Sequence, residues 1–148
     1  GRPLPRGGPG EATMPDDLAI TGAEAAELAD QLLRAGRPFH AHEVLEAAWK
    51  TGPAAERDLW QGLAQIAVGL THAHRGNARG AVTLLRRGAQ RVRGYAAEAR
   101  PVSESGEPRP FGINVGEVVS AAEDLAARIE QNGLAAVPAP DLRPGLLG

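Results

Sequence analysis

The chain has 148 residues, 43% of them hydrophobic and 3% aromatic, with a formal charge of −2 at pH 7. That length suits one domain, and the near-neutral charge gives no reason to expect nucleic acid or an anionic membrane as a partner. The absence of cysteine excludes disulfides and thiolate metal sites, so any metal would need His and carboxylate ligands.

No apolar run reaches the roughly 20 residues of a membrane span. Residues 1–10 have no apolar core of the secretory kind, and the expected location is cytoplasmic. Residues 1–18, rich in Gly and Pro, read as a flexible N-terminal tail. Residues 19–133 read as a single helical domain. Residues 134–148, with Pro138, Pro140 and Pro144, read as a loose C-terminal tail whose Leu142, Leu146 and Leu147 could dock.

Between the tails the punctuation is helical. Thr21 and Glu24 have the spacing of a capping box, and Leu28, Leu32 and Leu33 supply an apolar stripe that Gly36 ends. Pro38 opens a second helix running to about Lys50. Thr51-Gly52-Pro53 is a turn into a third, which runs to about Arg75. Gly76 stops it, and Asn77 caps a fourth that runs to about Arg93. After a loop containing Pro101, Pro108 and Pro110, Asn114 with Glu117 caps a fifth helix ending near Gly133. Period-two alternation is scarce, so strands are not expected. The expected fold is all-α: a compact antiparallel bundle of about five helices, the third central.

Two of these helices carry polar residues on apolar faces. At about 100° per residue, Phe39, His42, Glu46 and Trp49 share one side of the second helix. A face with two large aromatics is expected to be buried, and His42 and Glu46 with it. Their spacing sets them roughly 5–6 Å apart at Cβ. On the third helix Asp58, Gln61, Gln65 and His72 fall in a narrow sector, with Gly62, Gly69 and Gly76 beside it. A mid-helix glycine costs about 1 kcal/mol against alanine, which points to a closely approaching neighbour. If the second helix is that neighbour, His42 and Glu46 face Gln65 and His72.

Buried polar groups must be paired. His42-Glu43-Val44-Leu45-Glu46 has HExxE spacing, like the zincin HExxH helix with a carboxylate replacing the second histidine. The leading reading is a metal or small-molecule site between the second and third helices, in which His42, Glu46 and His72 are ligands of a divalent metal. Glu43 is then the general base for a bound water, and the chemistry is hydrolytic. On the other reading the same residues, with Gln61 and Gln65, form a hydrogen-bonded core network in a non-catalytic binding or scaffold module. Arg79, Arg86 and Arg93 share a face of the fourth helix, with Arg87 and Arg91 nearby, and read as a solvated face. His40 and His74 lie off the polar faces.

Phe39-His40-Ala41-His42-Glu43-Val44-Leu45-Glu46 with Trp49, then Gln61-Gly62-Leu63-Ala64-Gln65, His72, Arg75-Gly76-Asn77 and Gly80-Ala81, resembles the signature of domain-of-unknown-function family 309. The resemblance covers about residues 21–131 and is sharpest over 38–85. It implies an all-α cytoplasmic domain, with matching polar positions at His42, Glu43, Glu46, Gln61, Gln65 and His72. The family's label as a metal-dependent hydrolase is an inference and adds little. The partner is open between a small molecule and a protein, and the exposed side of the first helix could serve a homodimer. Neither membrane nor nucleic acid is expected.

Overall fold

The computed structural model describes residues 20–98 and 109–147. The expected N-terminal tail and the loop prolines Pro101 and Pro108 lie outside the described residues. Five α-helices follow in order: α1 (Gly22–Arg34), α2 (Pro38–Thr51), α3 (Arg57–His74), α4 (Ala78–Glu98) and α5 (Val115–Asn132). Short 3₁₀ turns lie at Ala54–Glu56, Pro110–Gly112, Leu134–Ala136 and Ala139–Leu142. The described residues contain one extended pairing, an isolated antiparallel bridge between Ile113 and Leu147. The fold is an all-α bundle. No described helix is long and apolar enough to cross a membrane.

Side chains cap the starts of α1 and α5. Thr21 Oγ1 accepts from the Glu24 amide at 3.0 Å while the Glu24 carboxylate accepts from the Thr21 amide at 3.1 Å, a reciprocal capping box. Asn114 Oδ1 accepts from the Glu117 amide at 3.2 Å and starts α5. Helix α4 runs to Glu98, beyond the expected end near Arg93.

Helix α3 is central because it is apolar around most of its circumference. Leu59, Trp60, Leu63, Ile66, Ala67 and Leu70 are all buried. It runs antiparallel to α4, since Gly62 meets Gly88 and Val92 while Gly69 meets Ala81 and Leu85. The approach is backbone to backbone: a Cβ on Gly88 would lie 2.6 Å from the Gly62 carbonyl oxygen and 2.9 Å from the Ile66 nitrogen. The close neighbour of the glycine stripe is therefore α4, where the second helix was expected. Gly88 and Ala81 on α4 lack the side-chain bulk that would hold the two backbones apart.

Helix α5 lies against α4, also antiparallel, with Arg86 bonded to Glu130 at 2.8 Å and Arg93 to Glu123 at 2.7 Å. Helices α1 and α2 pack on each other, and each buries alanines: Ala25, Ala26 and Ala29 on α1, Ala41 and Ala48 on α2. Phe111 sits at a left-handed φ of 56°, uncommon for a side chain of its size. Its ring packs on Trp60 with centroids 5.2 Å apart and fills the space beside Gly22.

The C-terminal segment is docked. Leu146 is buried, and its amide and that of Leu147 donate to Asp30 Oδ1 of α1 at 2.7 and 3.1 Å. Arg34 bonds both the Asp30 carboxylate and the Leu147 carbonyl. Leu146 returns a carbonyl to the Asn114 amide at 3.0 Å. Burial, the largest single influence on Asp30, works to raise its pKa. The amides of Leu147 and Leu146, together with Arg34, outweigh it and hold the carboxyl below its ordinary value.

Two outcomes follow for stability. Gly88→Ala should destabilise by about 1–3 kcal/mol through overpacking, although alanine favours a helix. Gly94→Ala in the same helix, where a Cβ meets nothing within 4 Å, should instead stabilise by up to about 1 kcal/mol. Urea denaturation of both variants measures the contrast. A carboxylate whose folded pKa is depressed stabilises fully above its unfolded pKa and loses that contribution as pH falls through the folded value. The stability gap between the native chain and Asp30→Asn should therefore be widest near neutral pH and shrink as pH drops through and below the ordinary aspartate range.

Candidate functional site

The polar sector of α3 meets a single arginine. Arg91 of α4 donates through Nη1 to Asp58 Oδ1 at 3.1 Å and to Gln61 Oε1 at 3.3 Å, and through Nε to Gln65 Oε1 at 3.4 Å. A guanidinium has several N–H donors in one plane, so one side chain can serve acceptors stacked along a helix face. Asp58, Gln61 and Gln65 lie at i, i+3 and i+7, which makes that stack. Arg91, Gln61 and Gln65 are half-buried, while the Asp58 side chain is 57% exposed.

His72 has a different partner. Asn77 Oδ1 accepts from the Gly80 amide at 3.0 Å and caps α4. That fixes the amide's orientation, and its NH₂ points at His72 Nδ1, 3.1 Å away. With Nδ1 accepting, the neutral ring carries its proton on Nε2, and neither nitrogen then offers a lone pair to a metal. The ring packs against Gly80, where a Cβ would lie 2.9 Å from His72 Cγ. Gly76, at φ 83°, turns the chain between the two helices.

On α2 the buried residues are Pro38, Ala41, Val44, Leu45 and Ala48. The face expected to be buried is rotated partly outward: Phe39 is 47% exposed, and the side chains of His42 and Glu46 are 23% and 39% exposed. Ala41 and Ala48 lie on the buried side, and Phe39 stands outside it. Trp49 is half-buried against the core. His42 Nε2 lies 3.9 Å from Glu46 Oε2, a loose pair, and His42 Nδ1 is buried without a hydrogen-bond partner. The Phe39 ring lies 5.9 Å from the His42 ring and 6.1 Å from that of His40, and the Arg75 guanidinium sits 5.9 Å from its centroid.

The structure thus joins His42 to Glu46, ties Gln61 and Gln65 to Arg91, and ties His72 to Asn77. Glu43 is half-buried on α2. Among the described residues, no group of three or more His, Cys, Asp or Glu side chains could hold a metal ion. The basic face of α4 is largely engaged as well. Arg86 and Arg93 meet carboxylates of α5, and Arg91 meets α3. His74, expected to be an ordinary exposed residue, approaches the Leu142 carbonyl with Nε2 at 3.2 Å and helps hold the C-terminal segment.

Arg91 is the residue the sequence argument undervalued. Its signal was present in the three acceptors stacked on α3, which require a donor from whichever helix lies across them. The link of Asp30 to the C-terminal segment gave no such signal, because its partners there are backbone amides more than a hundred residues away.

The family model described as "Domain of unknown function (DUF309)" matches residues 27–84, from within α1 to within α4. The chain is similar to an uncharacterised protein, YpuF, of Bacillus subtilis (strain 168), at 33% identity over 93 residues. The alignment takes in 62% of this chain and 48% of the relative, so the chain spans about half the length of the curated protein it matches. No solved structure matches. The matched segment carries His42, Glu46, Gln61, Gln65, His72 and Asn77, so the family model and the resemblance of the sequence motifs point to the same family.

Proposed function

We propose that the chain is a non-catalytic helical binding module whose polar residues hold the bundle together. The observation that carries this reading is the division of the polar set. Gln61, Gln65 and His72 bond to groups on or capping α4, while His42 and Glu46 pair on α2. A catalytic centre needs its groups converging on one point within hydrogen-bond reach. The surface for binding is the start of α2, where Phe39 stands exposed beside His40, His42 and Arg75. Aromatic and arginine side chains are enriched in protein–protein contacts.

One observation favours a second reading, a small metal-dependent hydrolase. His42 Nδ1 is buried and unpartnered, and Glu46 is beside the same ring. In that reading His42 and Glu46 hold a divalent metal, Glu43 is the base, and His72 joins only by leaving Asn77.

Stability and metal uptake separate the two. Arg91→Ala should cost about 1–3 kcal/mol by stranding half-buried acceptors. Glu46→Ala should cost less than about 1 kcal/mol, because its pair is exposed and long. Thermal or urea unfolding checks both. A neutral or stabilising Arg91→Ala would contradict the role given to this contact in holding α3 to α4. Zinc and manganese titrated into tag-free protein should show no stoichiometric uptake. One equivalent bound by the native chain and lost in His42→Ala would replace the binding module with the metal enzyme.

A further inference from the structure

The α1–α2 turn, the α3–α4 turn and the C-terminal segment come together at one end of the bundle. Arg143 packs against Gly36, where a Cβ would lie 2.9 Å from the Arg143 Nε. His74 Nε2 stands 3.2 Å from the Leu142 carbonyl oxygen. The Arg75 guanidinium sits 5.9 Å from the centre of the Phe39 ring. These segments carry Arg37, Arg75, Arg79 and Arg143. All four are exposed, and none has a carboxylate at ion-pair distance among the described residues. By contrast, Arg34, Arg86, Arg91, Arg93 and Arg128 each hold a carboxylate at 3.1 Å or less. The carboxylates close to the four are Glu43, one turn along α2 from Phe39, and Asp141, which already holds Arg128 at 2.7 Å. This end is therefore positive, although the whole chain carries a charge of −2. A cation in the first turn of a helix opposes the macrodipole by about 0.3–1 kcal/mol, and α4 has no acidic residue there to offset Arg79.

We propose that this end of the bundle docks an acidic segment of a partner protein, with an apolar side chain of the segment on Phe39 and its carboxylates on the four arginines. The proposal rests on the reading of Phe39 as a contact residue and names the chemistry of what it meets. Complementary charge selects a partner and speeds encounter more than it adds affinity. A nucleic acid fits less well. Its bases stack on successive aromatic side chains, and Phe39 is the one large hydrophobic side chain exposed among the described residues.

The test is an amide NMR titration of the full chain with three probes: a short glutamate-rich peptide with one central phenylalanine, the same peptide with glutamine for glutamate, and oligothymidylate. The acidic peptide should give saturable shifts at Phe39, Arg75 and Arg79. It should bind about tenfold more tightly than its glutamine analogue, the sum of several exposed charge contacts. Arg75→Gln combined with Arg79→Gln should remove most of that advantage. Arg57→Gln, an exposed arginine at the opposite end of α3, should retain it. Phe39→Ala should weaken both peptides. Equal affinity of the two peptides at Phe39, or an advantage that survives the double variant, overturns the acidic partner and leaves Phe39 as a contact residue. No saturable shift at Phe39 from either peptide overturns both readings. Oligothymidylate binding there as tightly as the acidic peptide overturns the proposal in favour of a nucleic acid.

Discussion

The arrangement depends on the contact in which α3 and α4 meet backbone to backbone. Gly62 and Gly88 leave no space for a side chain between them, and Gly69 lies against Ala81 and Leu85 in the same way. Each glycine weakens its helix by about 1 kcal/mol, a cost offset only if the close approach is used. Here the approach brings α4 across the polar sector of α3. Arg91 can then reach Asp58, Gln61 and Gln65 together. At the tight turn between the helices, Asn77 can cap α4 and hold His72 with the same amide. Gln61, Gln65 and His72, which read as part of a candidate site between the second and third helices, bond to α4 and its capping residue in the folded chain.

Helix ends were the most legible part of the sequence, because capping is local. Thr21 with Glu24, Asn77 with Gly80, and Asn114 with Glu117 each act within three residues. Faces were partly legible. Periodicity placed Asp58, Gln61 and Gln65 in one sector, and they do share a partner. What periodicity cannot give is the neighbour. The glycine stripe announced a close approach without naming α4, although Gly88 and Ala81 were there to complement it. On α2 the aromatics Phe39 and Trp49 suggest one inward face, while the residues buried are Pro38, Ala41, Val44, Leu45 and Ala48. In a chain this rich in alanine, small residues as well as large ones mark the buried face.

The C-terminal segment was the least legible. Its prolines argue for a loop, and its leucines gave only the option of docking. The docking is secured by Asp30, whose carboxylate accepts two backbone amides that no local pattern reveals. Once docked, the segment forms one side of a half-open pocket against α5 and sets Asp141 opposite Arg128 at its rim. The half of the molecule with the sharpest sequence motifs is thus stitched together by them. The pocket, in contrast, draws Val118, Leu125 and Leu146 from beyond residues 27–84.

The central claim is that His72 belongs to the α3–α4 turn and not to a metal site shared with His42. The most direct measurement is a long-range nitrogen–proton NMR spectrum of the imidazole rings, taken well above the ordinary histidine pKa. The account predicts that His72 carries its proton on Nε2 with Nδ1 accepting, that Asn77→Ala disturbs this ring and leaves His42 alone, and that added zinc moves neither ring at one equivalent. Joint displacement of the His42 and His72 nitrogens by one equivalent of zinc would contradict it.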